Sequence, residues 1–142
     1  MNILLATAMS YVGVPYKWGG NNPVEGFDCS GLVQELLKST GEALPQKDNS
    51  AQMLFDHYQK NGEWNRMQMG ALVFFGESAT KVTHVGMLVD DCRFIEAGGG
   101  GHLVLNREDA AAKSACVRIR HLDSRKDRVA IIRPYYRAIK QI

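Results

Sequence analysis

The spacing of apolar positions changes halfway along the chain. In residues 2–12 they fall on Ile3, Leu4, Ala6, Ala8, Tyr11 and Val12, close to helical spacing, and Gly13 with Pro15 then ends the run. That pattern predicts a short opening helix. Residues 19–26 hold three Gly, two Asn and a Pro, which predicts an irregular loop. From Ser30 onward Leu32, Val33, Leu36 and Leu37 recur at three and four residues until Gly41, predicting a second helix with Cys29 at its first turn. Residues 50–60 predict a third, with Ser50 as N-cap and Gly62 beyond its end. Beyond residue 70 the apolar runs shorten to strand length, at 71–75, 84–90, 93–97, 102–106, 116–122 and 129–134. Asp90-Asp91 between two of them predicts a tight hairpin that sets 84–90 antiparallel to 93–97. Helices first and an antiparallel sheet afterwards is the α+β pattern. No internal repeat and no linker divides the chain, so residues 1–142 are expected to form a single domain.

Composition agrees with that expectation. The chain is 45% hydrophobic and 23% charged, as in ordinary globular proteins. At 142 residues it can bury roughly 68 to 70% of its unfolded surface, so the core needs no covalent staple. The cysteines, Cys29, Cys92 and Cys116, are odd in number and lack a C-x-x-C spacing, which argues against a disulfide framework and against a zinc knuckle. No apolar run approaches the roughly 18 residues of a membrane span, so no membrane insertion is expected. No Lys or Arg precedes Lys17, unlike the positive start of a secretory signal, and synthesis in the cytoplasm is the expectation. Net charge is +2, but residues 118–142 carry eight Lys/Arg against Asp123 and Asp127. Such a segment can grip an anionic polymer. Because apolar residues alternate with several of its arginines, a solvated sheet face is expected instead, with no nucleic-acid partner.

Candidate chemistry concentrates in Phe-Asp-Cys-Ser-Gly-Leu-Val, residues 27–33. A cysteine at a helix N-terminus meets the positive end of the helix dipole and unpaired amides, which favour the nucleophilic thiolate. Asp28 works partly against this by its charge while holding the loop through backbone hydrogen bonds. The plainer alternative is a buried structural thiol. Gly19, Gly20, Gly26 and Gly31 around it instead suggest backbone brought close to something. A nucleophilic cysteine needs a base, and His57, His84, His102 and His121 are the candidates. His84 is the best placed, at the entrance of a strand-like run with Gly86 leaving room on the same side. His57 and His121 look like ordinary surface histidines. Residues 98–101 are four glycines ahead of His102 with no following Lys-Ser/Thr, so they are not a phosphate loop and suit a loop beside the site.

The runs YVGVPYKWGG, DCSGLVQELL, GALVFF, THVGMLV and FIEA together resemble the NlpC-type cell-wall peptidases, bacterial papain-like cysteine enzymes, over about residues 5–97. The resemblance implies a papain-like α+β fold, with the cysteine-bearing helix packed on an antiparallel sheet of about five to six strands. It implies Cys29 as nucleophile and His84 as base. Tyr16 would help the Cys29 amide stabilise an oxyanion, Asp28 and Ser30 would flank the nucleophile along the substrate groove, and Trp18 would be a core aromatic. No metal or organic cofactor is implied. The implied partner is a peptidoglycan stem peptide, cleaved between γ-D-glutamate and diaminopimelate or lysine. Because the sequence shows neither a signal peptide nor a wall-binding repeat, delivery to the wall by a phage particle, lysis system or secretion machine is expected.

Two positions depart from the family pattern. The third polar residue, often His and twelve positions after the base, is Glu96, and the Gly-Asp before the hydrophobic strand is Gly70-Ala71. A carboxylate suits the third role, since it can accept the imidazole N–H, fix the tautomer and stabilise imidazolium. Two other classes stay open from sequence: a cysteine amidase or acyltransferase on a non-wall substrate, and a catalytically silent binding or tail-assembly module.

Overall fold

A computed structural model describes residues 2–98 and 115–136. Three helices precede the main sheet: α1 (Ile3–Ser10), α2 (Cys29–Ser39) and α3 (Ala51–Tyr58). Each begins at a side chain able to accept from the first turn. Asn2 accepts from Leu4 N, Asp28 from Gly31 N and Ser50 from Met53 N. Between α1 and α2 the glycine-rich loop contains a two-residue pair, β1 (Asn21–Asn22) against β2 (Gly26–Phe27).

The remaining strands are β3 (Gly62–Trp64), β4 (Leu72–Ser78), β5 (Lys81–Leu88), β6 (Arg93–Gly98), β7 (Cys116–His121) and β8 (Arg128–Pro134), with a 3-10 turn at Leu122–Ser124. They form one antiparallel sheet in the order β3-β8-β4-β5-β6-β7. The architecture is the expected α+β arrangement. The hairpin at Asp90-Asp91 is present, pairing Met87 with Ile95 and Leu88 with Phe94. Asp90 makes that turn by accepting from the Cys92 and Arg93 amides. The short β3 escaped the strand pattern because Gly-Glu-Trp has no apolar alternation and is held by backbone pairing to β8. The run expected at 102–106 lies outside the described residues.

Alternation along the strands gives the sheet two covered faces. Leu72, Phe74, Val85, Met87, Ile95, Ala97 and Val117 pack with Leu32, Leu36, Leu54 and Phe55 of the helices. Val73, Phe75, Leu88, Phe94 and Ile131 form a smaller cluster on the other face, joined by Ala71 and Leu122. Two features bring the N-terminus of α2 to this second face. Residues 13–16 run along the start of β7, with Gly13 N donating to Val117 O and Tyr16 N to Ala115 O. Tyr16 also bridges Phe27, so the same segment ties the edge of the sheet to the loop that ends at Cys29. That loop must approach α2 closely, and Gly31 permits it: a Cβ there would lie 2.0 Å from the Gly20 carbonyl oxygen. Gly26 has φ +130 beside the Pro15 carbonyl, a conformation few other residues adopt.

Candidate active site

Cys29 is the first residue of α2, half-buried, and among the described residues no acceptor takes its backbone amide. Its sulfur is a close electrostatic neighbour of the His84 ring. His84 sits well inside β5 rather than at its entrance, directly after a bulge at Thr83 where the register against β4 slips by one residue. The bulge bends the strand next to the imidazole. Gly86 does not open space for the ring as expected. A Cβ there would lie 2.8 Å from both the Phe94 ring and the Ile95 carbonyl, so its missing side chain lets β6 close in. The His84 ring packs on Phe75 with centroids 5.6 Å apart.

Glu96 shares the face of His84. A Cβ on Gly98 would touch both, at 3.6 Å from His84 Cε1 and 3.7 Å from the Glu96 carboxyl. His84 Nε2 and Glu96 Oε1 are 2.6 Å apart, and Glu96 is only 1% exposed. With Nε2 committed to Glu96, Nδ1 is the ring nitrogen left for the Cys29 thiol. Burial opposes the imidazolium, but the hydrogen bonds and charges of Cys29 and Glu96 more than offset it, and the His84 pKa is pushed up to about 9. Burial likewise opposes the Glu96 carboxylate, yet His84, Arg118 and Arg120 hold its pKa at about 2. At neutral pH both groups are charged, and the imidazolium stands between thiol and carboxylate.

The two arginines correct the expectation of a solvated basic face. Arg118 Nε donates to Glu96 Oε2 at 3.2 Å and Arg120 Nη1 to the same oxygen at 3.3 Å. Glu96 pairs with Arg118 across β6 and β7, and Arg120 is two residues on, so all three side chains share the face. The signal available in sequence was the Arg-x-Arg alternation in Cys-Val-Arg-Ile-Arg, which places both cations on one face of a strand. Arg125 is also engaged, stacked 4.6 Å over Phe75 and paired with Asp127. Arg133 donates to the Met69 carbonyl and lies over Tyr136. Arg137 and Lys140 lie outside the described residues, as do His102 and the glycines after Gly98.

Tyr16 is half-buried near the thiol. Burial first, then the negative charges of Cys29 and Asp28, push its phenol upward, so its hydroxyl stays protonated and able to donate. Asp28 and Ser30 flank Cys29 but turn toward the helix start. Asp28 Oδ1 accepts from the Gly31 amide at 2.6 Å and from Ser30 Oγ at 3.4 Å. Burial raises the Asp28 pKa against those hydrogen bonds. Trp18, expected in the core, is 55% exposed on the loop leading to the site, and the buried aromatic of this region is Phe27, in ring contact with Tyr11. Gly70 carries φ +94 and its carbonyl accepts from the Tyr136 hydroxyl, while Ala71 is fully buried among apolar side chains, so an aspartate at 71 would be a polar misfit. Asp90, Asp91 and Cys92 bring one potential metal-ligand atom each within 4.8 Å, but the carboxylate of Asp90 is already committed to the turn amides and Arg93.

The NlpC/P60 family matches residues 13–121, more than half of the chain. The chain belongs to the NlpC/P60 family. Compared with individual proteins, the chain is 39% identical over 100 residues to the bifunctional muramidase/DL-endopeptidase CwlT of Bacillus subtilis, covering 69% of this chain and 29% of that protein. It is 39% identical over 92 residues to the gamma-DL-glutamyl hydrolase of Bacillus subtilis, covering 63% of this chain and 21% of that one. Among solved structures, an NlpC/P60 family protein from Bacillus cereus superposes with TM-score 0.69 at 25% identity, over 94% of this chain and 39% of that chain. The chain thus spans less than a third of the length of these two curated relatives. No helix among the described residues is long and apolar enough to cross a membrane.

Proposed function

We propose that this NlpC/P60 domain is a cysteine peptidase that hydrolyses amide bonds of peptidoglycan stem peptides at γ-D-glutamyl linkages. The observation that carries the reading is the buried His84–Glu96 pair with Cys29 as its electrostatic neighbour, the cysteine standing at the start of a helix. The bond type is supported by relatives named as a DL-endopeptidase and a gamma-DL-glutamyl hydrolase.

The chemistry follows from the arrangement. The helix N-terminus and the His84 imidazolium stabilise a Cys29 thiolate, which attacks the scissile carbonyl. The Cys29 amide and the Tyr16 hydroxyl supply donors to the oxyanion as it forms. His84 gives its proton to the leaving amine, which departs and leaves a thioester. His84, now neutral, takes a proton from water as that water attacks the thioester, and the acid product and the free thiol result. Glu96 holds the ring throughout and balances its charge in the protonated state.

Incubation of purified muropeptides with the domain, followed by mass spectrometry, tests the proposal. Products split after γ-D-glutamate, absent with Cys29→Ala, are expected. Intact muropeptides in the presence of a readily alkylated Cys29 would exclude the wall substrate and favour an amidase or acyltransferase acting elsewhere. Intact muropeptides with an inert Cys29 would make the domain a silent binding module.

A further inference from the structure

We propose that Arg118 and Arg120 are positioning residues that clamp Glu96 Oε2, so that the other oxygen, Oε1, is held ionised and aimed at His84 Nε2. The proposal rests on the Cys29–His84–Glu96 reading above and explains how a glutamate can serve where a buried carboxylate would otherwise take up a proton.

Three observations support it. First, Glu96 is almost wholly enclosed, and a carboxylate taken out of water without partners reverts to its neutral form. A neutral carboxyl would accept the imidazole N–H weakly and would give no charge to balance imidazolium. Second, the two oxygens divide the labour, with Oε1 on His84 and Oε2 taking both guanidinium groups. Third, the arginines come from alternate positions of the neighbouring strand, so the sheet ladder fixes their approach: Glu96 stands opposite Arg118, and Phe94 opposite Arg120. A flexible surface pair would have no such constraint.

The charged and titratable groups facing this cluster come from every element around it. Arg118 and Arg120 lie on β7, His84 on β5, Cys29 and Asp28 at the start of α2, and Tyr16 on the segment beside β7. Asp127 acts on His84 through space, but Arg125 pairs with its carboxylate. Glu96 therefore faces three cations, two of them guanidinium groups whose charge is independent of the imidazole proton. Their effect on the carboxylate persists when the imidazole loses its proton.

The test compares Arg118→Gln, Arg120→Gln, the double Gln variant and the double Lys variant with the parent, all carrying Cys92→Ser and Cys116→Ser. Two readings are taken: the carbon-13 carboxyl titration of Glu96, and the pH dependence of Cys29 alkylation by iodoacetamide. Neither needs a wall substrate. In the double Gln variant the Glu96 midpoint is expected to move up by about 1–3 pH units, and the acid limb of alkylation to move up with it. Each single variant should move part of the way, and the double Lys variant should restore most of the midpoint. A Glu96 midpoint unmoved in the single Gln variants overturns the proposal even if the double variant fails to fold. A uniform fall in alkylation with no change of limb overturns it too, since that is what a structural role produces. If the midpoints move as expected while the parent cleaves no muropeptide, the clamp stands and the substrate assignment fails.

Discussion

Two cysteines in this domain follow an aspartate directly, and the structure gives them opposite surroundings. Asp28 precedes Cys29, but its carboxylate turns away to cap α2, leaving the thiol with a helix N-terminus and His84. Asp91 precedes Cys92 in the β5–β6 turn, where burial and the carboxylates of Asp90 and Asp91 push the thiol upward. The same dipeptide thus yields a candidate nucleophile in one place and a suppressed thiol in the other. What separates them is where the backbone directs the acid: into the first amides of a helix, or back onto the thiol's own turn.

The sharpest way to break this contrast is to remove each sulfur. Cys29→Ala is expected to lower muropeptide turnover by about ten-thousand-fold or more, while Cys92→Ser stays within about twofold of the parent. A comparable loss from both would end the distinction. His84→Ala is expected to come next, with nearly all turnover gone and an unchanged circular dichroism spectrum, because the ring packs on Phe75 without building the core. Turnover within a few-fold of the parent would remove His84 from the mechanism. It should also bring the Cys29 alkylation rate near neutral pH down toward that of Cys92, which single-cysteine variants measure directly.

Glu96→Gln sharpens the comparison through pH. The carboxylate is one of the groups that raise His84 from the ordinary imidazole value of 6.5 to about 9, so its loss should draw the alkaline limb of the rate profile to lower pH. The sign for stability is the same. A raised histidine contributes stability that is complete below about pH 6.5 and is lost as pH rises through about 9, and that contribution should shrink in the variant. Glu96 itself, depressed from 4.5 to about 2, contributes stability present above its unfolded value and lost on acidification toward pH 2. Glu96→Ala should cost more turnover than Glu96→Gln, because the amide can still hold the ring. Identical parental profiles for both would show that the contact has no catalytic consequence.

The smallest expected effect is Asp28→Ala. Loss of the cap should cost about 1 kcal/mol of stability in chemical denaturation and leave the Cys92 alkylation rate unchanged. A loss of turnover far beyond that stability cost would instead assign Asp28 to the substrate groove.

Local pattern alone determined the three helices, the Cys29 position at the start of α2, the β5–β6 hairpin and the α+β order, because caps, glycine stops and periodicity act over a few residues. Residue types made Cys29 a candidate nucleophile and His84 the best placed of four histidines, and it was the family resemblance that named the two as nucleophile and base. Sequence mistook Trp18 for core and Arg118 and Arg120 for a solvated face. The arginine error has a plain cause: alternation says which residues share a face, but not what covers that face. Only the tertiary structure decided that the edge of β7 meets the Cys29 loop through residues 13–16, that a bulge at Thr83 falls next to His84, and that the strand bearing Arg118 and Arg120 lies beside Glu96. Those juxtapositions join residues dozens of positions apart, and they exist only because the sheet order closes the pieces around one buried carboxylate.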